Sequence, residues 1–441
     1  MVSNYNRYRR RRKPNYLRNF CIVGAVIALG VGIYYWMTRP EEEETTGAAA
    51  PEEEVWEEHL PDAKDSLLAC QIDELVRTTP RIDTTGMAIY VYDLQQHATV
   101  YAFHPKKKMI PASCTKMLTA LTAMYGVGVN HQLETRLYTT GTVVGDTLKG
   151  DLVLCADDDP LILSLDSLAD LVRAQGIKEI TGSVIVDGVR PDTLRQHATA
   201  MPGDIQFGRL PILMRGQACV EREWNRCLTK SGVHVGTTTI GTRQAIIQNA
   251  IEKGTVIGSV THSLQDILAP MLMYSDNIAG ETLLYHLRHL HTRWPGDGRE
   301  GGPVSSDSLI LKEMKFEGAE YVVNDGSGLS HKNLMTTNFL TQLLIYGYRH
   351  LDMWSMLKDN TMATPGARPG TLKSRMRDDI YQGRVFCKTG TLISIGVSSL
   401  CGYAWGIDGR WYAFAIMHNN AEHIEECVLL QDNLCKILVT Q

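Results

Sequence analysis

The chain has 441 residues, enough for two or three domains with hydrophobic cores, and its 44% apolar content argues for folded rather than disordered material. A formal net charge of −5 removes the general electrostatic reason to expect nucleic acid as a partner. Ten cysteines are too few at this length for a disulfide scaffold.

Positive charge is concentrated at the front, where Arg7, Arg9, Arg10, Arg11, Arg12, Lys13 and Arg18 precede an apolar stretch from Phe20 to Met37. This order predicts a cytoplasmic basic segment over 1–19 and a transmembrane helix over 20–37. A cleaved signal peptide begins in the same way. The long basic segment, the lack of a small-residue cleavage site and the interfacial Tyr34, Tyr35 and Trp36 favour an uncleaved signal anchor, with everything after Thr38 outside the cytoplasm. Residues 38–62 follow as an acidic linker, rich in Glu, Ala, Thr and Pro between Glu41 and Glu58 and without apolar periodicity.

A first catalytic segment is expected over 63–130. Ser66 to Arg77 has helical apolar spacing, and Gly86 to Asp93 and His97 to Phe103 read as the strands of a hairpin. A helix opens with Ser113 and runs to Met124. Between 131 and 255 the texture changes. Leu133 to Leu137, Gly141 to Val144, Gly150 to Leu154 and Gly182 to Val186 read as strands, with a helix from Ser167 to Gln175. Arg209 to Cys227 is less legible, being rich in Arg, Trp and Cys, after which Thr237 to Gly241 and Gly254 to Gly258 resume short strands. This block is an inserted domain of mixed α/β character. From 256 to 441 helices are expected over Ser263 to Leu287, broken at Ser275, and over Thr336 to Tyr348. Strands follow at Ile393 to Tyr403 and Trp411 to Met417, then a helix over Glu422 to Leu438. Strands from both ends of the chain with helices against them predict one α/β/α catalytic domain split by the insert.

Cys114 and Cys387 flank motif residues, where inert buried thiols are expected. Cys219 with Cys227, or Cys427 with Cys435, are pairs open to bridging in an oxidising compartment.

Three short stretches carry chemistry. A serine hydroxyl is a poor nucleophile and needs an unprotonated base within hydrogen-bond reach. Lys116 lies one helical turn from Ser113 and serves as that base if nearby positive charge and limited hydration lower its pKa. Ser275-Asp276-Asn277 adds a hydroxyl for proton transfer and an amide to hold Lys116 and substrate. Lys388-Thr389-Gly390-Thr391, on an edge strand, supplies positive charge, a hydroxyl for a substrate carboxylate, and a glycine that allows close backbone approach. Singly each is commonplace: Ser113 reads as a helix N-cap beside a solvated lysine, the other two as turn or strand ends. Together, in this order and in helix, helix and strand contexts, they describe an acyl-transfer site.

Through these motifs the chain resembles the penicillin-binding serine D,D-peptidases over roughly residues 65 to 420. Within them it is most similar to the D-alanyl-D-alanine carboxypeptidase/endopeptidase, penicillin-binding protein 4 class, peptidase family S13. Gly150 to Leu154, Thr181 to Asp187, Asn324-Asp-Gly-Ser-Gly-Leu-Ser330 with Asn333, Gly370 to Met376, and Gly402-Tyr403 also carry the resemblance. It implies a penicillin-binding-protein/serine β-lactamase-like transpeptidase domain, a sheet with helices on both faces, interrupted by an inserted domain. It further implies Ser113 as acylated nucleophile, Lys116 as base, Ser275 and Asn277 in proton transfer and amide positioning, Lys388 and Thr389 in electrostatics and carboxylate binding, and an oxyanion hole from the backbone of Ser113 and Thr391. Asp325, Ser327 and Ser330 shape a loop near the site. The implied partners are peptidoglycan stem peptides or cross-links, β-lactams as covalent inhibitors, and the inner membrane through the N-terminal helix, with the catalytic domain in the periplasm. No cofactor or metal is expected, the histidines showing no zinc spacing.

Three departures stand out, one of them being a membrane anchor in place of a cleaved leader. Only 158 residues separate Lys116 from Ser275, so the insert is short for this class. In place of a Gly-rich run ending in Asp-Pro stands Cys155-Ala-Asp-Asp-Asp-Pro160, whose carboxylates read as a solvated turn, the alternative being contact with a cationic group of the substrate. A β-lactamase or transpeptidase on the same scaffold, and a non-catalytic cell-wall-binding scaffold, are the competing functions.

Overall fold

The computed structural model describes residues 58–187, 210–240, 244–293, 311–312, 315–316, 318 and 320–441. The expected basic segment, the apolar span 20–37 and the linker up to residue 57 lie outside the described residues. Among the described residues no helix is long and apolar enough to cross a membrane.

Asp62 caps helix α1 (Ala63–Thr78) by accepting the Asp65 amide. The hairpin β1 (Met87–Asp93) and β2 (Ala98–Phe103) follows. A single 3-10 turn, Ala112–Cys114, leads into α2 (Thr115–Val127). The helix expected to open at Ser113 therefore starts two residues later. Ala112 is left-handed at φ 48°, which turns the chain before α2 begins and leaves Ser113 in the turn. Every residue of α2 from Thr115 to Met124 is buried, as expected for a helix without a consistently polar face.

The middle of the chain comprises β3 (Gln132–Thr139), β4 (Thr142–Val144), β5 (Thr147–Lys149), β6 (Leu152–Cys155), α3 (Asp166–Ala174), β7 (Glu179–Asp187), α4 (Gln217–Lys230), β8 (His234–Ile240), α5 (Gln244–Lys253) and β9 (Thr255–Ser263). Its seven strands form one sheet in the order β4-β5-β7-β6-β3-β9, with β8 beside β7. β7 runs parallel to β5, β6 and β8, and the remaining pairs are antiparallel. Leu137, Leu154, Val184 and Trp224 lie in the core under α3 and α4, and Ile247 and Ala250 of α5 pack with Val153 and Ile185. The sheet does not end at residue 255. β9 pairs along the whole of β3, from Thr139 opposite Thr255 to Gln132 opposite Ser263.

The last third contains α6 (Leu264–Met273), α7 (Asn277–Arg293), β10 (Tyr321–Val322), β11 (Leu334–Met335), α8 (Thr337–Arg349), β12 (Val385–Leu392), β13 (Val397–Trp405), β14 (Trp411–His418) and α9 (Ile424–Val439). The run read as one strand from Ile393 is broken: Ile393–Ile395 form a turn, and Gly396 at φ 61° reverses the chain into β13. An antiparallel sheet in the order β12-β13-β14-β1-β2 results, joining both ends of the chain. Alternate residues divide between its faces, as the pleat requires. Ala88, Tyr90, Cys401, Tyr403, Ala415 and Met417 share a core with α2, α6 and α8. Met87, Ile89, Leu400, Phe414 and Ile416 share one with α1 and α9. The result is α/β with helices on both faces.

Neither proposed disulfide exists. Cys219 and Cys227 both lie on α4, and Cys427 and Cys435 both on α9, and all four are free thiols. Eight residues of helix separate each pair by about 12 Å of rise, roughly twice the Cα span a disulfide tolerates. Cys114 and Cys387 are buried thiols, and Cys114 Sγ donates to the Lys388 carbonyl at 3.3 Å.

The acidic turn after β6 is not solvated. Asp158 and Asp159 are only 5% and 3% exposed. Asp159 is 2.6 Å from His262 Nδ1, and His286 Nδ1 lies 3.6 Å from Asp157 and 3.7 Å from Asp158. The turn is thus tied to β9 and α7 by imidazoles far away in sequence.

Candidate active site

The site forms where α2, the start of α7, the loop 324–330 and the edge strand β12 converge. Burial of α2 determines the state of Lys116, whose amine lies on its first turn and is wholly enclosed. Burial, and then the Lys388 charge, push this amine down to about 7, so a substantial fraction is neutral near neutrality. Lys116 Nζ lies 3.1 Å from Ser113 Oγ, 2.9 Å from Asn277 Oδ1 and 2.5 Å from the Ser327 carbonyl. Ser113 itself is only partly buried.

Asp276 positions Asn277. Its carboxylate accepts the amides of Ile278 and Ala279 and so starts α7 with Asn277 at its first position. Ser275, just outside the helix, is left-handed at φ 61°, a conformation that costs a non-glycine residue roughly 1–2 kcal/mol. Such strain collects at functional sites. It places Ser275 Oγ 3.0 Å from Lys388 Nζ.

β12 explains its own sequence. A Cβ at Gly390 would fall 2.6 Å from the Pro111 carbonyl and 3.1 Å from the Ser113 nitrogen, so the strand can lie against the nucleophile turn only with glycine there. Lys388 is fully buried, and that burial pushes its amine down to about 8. Its Nζ also donates to the Thr389 carbonyl at 2.8 Å. The Thr389 hydroxyl pairs with that of Thr371 at 2.9 Å, and Thr391 is exposed one residue beyond Gly390.

All eight residues picked out by the motifs therefore converge: Ser113, Lys116, Ser275, Asn277, Lys388, Thr389, Gly390 and Thr391. Three other contributors were not assigned to the chemistry by the sequence. The Ser327 carbonyl has no side-chain signature. Thr371 lies in the stretch Gly370 to Met376, which carries the family resemblance but no chemical motif. Glu281, which accepts the Ser327 amide at 3.2 Å, could have been found, since it sits four residues after Asn277 and thus on the same helix face. Elsewhere among the described residues, Asp166, Glu223 and Cys227 bring possible metal-ligand atoms within 4.8 Å of one another, but Arg226 and Lys230 already neutralise the two carboxylates.

A hydroxyl beside a poised amine, a second hydroxyl beside a buried cation, and an open strand edge suit acyl transfer through a serine ester. Comparison with known proteins agrees. A family model described as D-Ala-D-Ala carboxypeptidase 3 (S13) family matches residues 68–208 and 213–433. A D-alanyl-D-alanine carboxypeptidase from Actinomadura sp. (strain R39) is 24% identical over 438 residues of alignment, covering 77% of this chain and 79% of that one. The structure is similar to penicillin binding protein 4 from Haemophilus influenzae, with a TM-score of 0.67 at 18% identity, covering 84% of this chain and 99% of that one. It is also similar to a predatory peptidoglycan endopeptidase from Bdellovibrio bacteriovorus, with a TM-score of 0.53 at 15% identity over 79% and 90% of the two chains.

Proposed function

This chain belongs to the D-Ala-D-Ala carboxypeptidase 3 (S13) family, and on that premise we propose that Ser113 is the residue through which it acts. The protein is a serine-type D,D-carboxypeptidase/endopeptidase of the cell envelope, acting on peptidoglycan and recognised by β-lactams. Its fold is the penicillin-binding-protein α/β transpeptidase fold carrying an additional sheet. The observation that carries the assignment of the nucleophile is the 3.1 Å contact between Ser113 Oγ and the buried Lys116 amine.

In this reading Ser113 Oγ attacks the carbonyl preceding the terminal D-residue while its proton passes to Lys116. The backbone amides of Ser113 and Thr391 receive the oxyanion. The proton taken by Lys116 is relayed through the Ser275 hydroxyl, beside the Lys388 cation, to the departing amine, which returns Lys116 to its neutral form, and Thr389 with Lys388 receives the substrate carboxylate. Water then cleaves the ester, with Lys116 again as base. Segments 63–130 and 264–441 make the catalytic domain, and 131–263 the insert, since β9 completes the insert's sheet. The basic run ending at Arg18 and the apolar stretch 20–37 support an inner-membrane anchor that holds the catalytic part in the periplasm.

Digestion of defined monomeric and cross-linked muropeptides by the full chain tests the function. Release of D-alanine from monomers marks the carboxypeptidase, and conversion of dimers to monomers marks the endopeptidase. A folded chain yielding neither product, with glycan binding intact, points instead to a wall-binding scaffold.

The two lysines also predict a pH profile. Lys116 works when neutral, a state that fills as pH rises through about 7. Lys388 works when charged, a state that empties as pH rises through about 8. The rate of acylation by a labelled penicillin should therefore be bell-shaped with a narrow optimum between these values, the two limbs being properties of the coupled pair. A rate that rises monotonically to pH 10 would remove the requirement for a charged Lys388.

A further inference from the structure

We infer that Asp325 and Glu281 are positioning residues for acylation. They clamp the peptides on either side of Ser327 so that the Ser327 carbonyl, with Asn277 Oδ1, takes both N–H groups of the neutral Lys116 amine and leaves its lone pair facing the Ser113 hydroxyl. The inference rests on Ser113 as nucleophile and Lys116 as base.

A neutral primary amine offers two N–H donors and one lone pair in roughly tetrahedral directions. Lys116 Nζ has three near neighbours, at 3.1, 2.9 and 2.5 Å. Two of them, the Asn277 and Ser327 carbonyl oxygens, can only accept, whereas the Ser113 hydroxyl can donate. The donors and the lone pair are thereby allotted: the N–H groups go to the carbonyls and the lone pair to the serine, which is the arrangement a general base needs.

Asn277 is held by α7, but the Ser327 oxygen is a backbone atom and stands only where its loop stands. Glu281 Oε1 accepts the Ser327 amide at 3.2 Å. Asp325, only 3% exposed, accepts the Gly328 amide at 2.7 Å through Oδ1 and the Ser330 amide at 2.6 Å through Oδ2, and receives Asn333 Nδ2 at 2.7 Å. The loop in turn rests on the nucleophile. Gly328 is left-handed at φ 87°, a Cβ there would lie 2.0 Å from the Ala112 carbonyl, and the Thr119 hydroxyl of α2 donates to the Gly326 carbonyl at 2.9 Å. On the α7 side, a Cβ at Gly326 would lie 2.3 Å from the Gly280 carbonyl. Neither carboxylate touches Ser113 in these contacts, so each acts through the peptide it holds.

The same carboxylates leave an electrostatic signature. Among the charges facing Lys116, Lys388 on β12 lowers its pKa, while Glu281 on α7, Asp325 on the loop and Asp276 before α7 raise it against burial. Removing the Asp325 charge therefore lets Lys116 deprotonate at lower pH.

The test uses the full chain, measuring acylation by a fluorescent penicillin across pH, kcat and KM on a D-Ala-D-Ala peptide, and the unfolding midpoint. Asp325→Asn sets an NH2 group against amide donors. It should slow acylation and kcat by about 100-fold, the cost of misplacing a catalytic group by about 1 Å, with KM within about twofold. Its acid limb should move to lower pH. Glu281→Gln keeps an acceptor for Ser327 and should keep the plateau kcat, with its acid limb moved to lower pH because it too removes a charge that raises the Lys116 pKa, whereas Glu281→Ala should lose at least about tenfold in plateau kcat, as one lost buried hydrogen bond allows. If Asp325→Asn does not fold, the Glu281 pair decides the question. Unchanged kcat and acid limb in Asp325→Asn, or equal rates in Glu281→Gln and Glu281→Ala, overturns the inference while leaving the nucleophile in place. A labelled chain in which Ser113 carries no penicilloyl group overturns the nucleophile, and the inference with it.

Discussion

Ser113→Ala should abolish both penicillin labelling and D-alanine release, a loss of about 10⁴-fold or more, while the protein stays folded. The serine hydroxyl is the one oxygen at hydrogen-bond distance from Lys116 Nζ that can both lose a proton and attack; the other two partners are carbonyl oxygens. Among the described residues the nearby hydroxyls of Thr115 and Ser275 cannot substitute. Thr115 donates its own to the Ala112 carbonyl at 2.8 Å, and Ser275 is held at Lys388. The structural cost is small. Alanine suits the partly buried turn position, and Lys116 keeps two acceptors, so stability should fall by no more than about 1 kcal/mol. Fluorescent penicillin on a denaturing gel, read beside an unfolding midpoint, checks both halves. Label retained by the variant would place the nucleophile elsewhere.

Lys116→Met should reduce acylation by about 10⁴-fold, the upper range for removal of a positioned base. Methionine fills a similar volume, so the packing of α2 survives, but it takes no proton and leaves the Asn277 and Ser327 oxygens without this donor. The variant should therefore be less stable than the parent at pH 10. That deficit should narrow as pH falls. The folded Lys116 has its pKa lowered to about 7, whereas the unfolded chain binds the same proton near the ordinary lysine value, so the parent loses stability from about pH 10 down to about pH 7 and the variant does not. The narrowing amounts to at most about 4 kcal/mol, because each pKa unit is worth about 1.4 kcal/mol. Urea unfolding at the two pH values measures it, and a deficit that widens towards pH 7 would mean that Lys116 is charged in the folded state.

The catalytic motifs were legible because each joins a distinctive side chain to a local spacing. Ser113 and Lys116 share a turn, and Gly390 is the residue type that a strand pressed on that turn demands. What stayed hidden is what spacing cannot encode. The Ser327 carbonyl belongs to the backbone, and its orientation depends on Asp325 within its own loop and on Glu281, which reaches that loop only in the folded chain. Strands with strong β-character such as β6 and β7 were readable, whereas β5 has three residues and no pattern to detect. α4 did carry a helical period in Val220, Trp224, Cys227 and Leu228, all buried, but its abundant charge disguised it. Asp157 to Asp159 misled for a related reason. Three adjacent carboxylates suggest water until His262 and His286, more than a hundred residues away, come to meet them.

The enclosure of α2 has an evolutionary consequence. From Thr115 to Met124 no side chain faces solvent, so a substitution anywhere along these residues must preserve volume and polarity or disturb a close-packed interior. Selection thus bears on this segment twice, through chemistry at its first turn and through space-filling along the rest. Descendants that have drifted widely elsewhere should still look alike here, and much of that likeness will reflect packing rather than turnover.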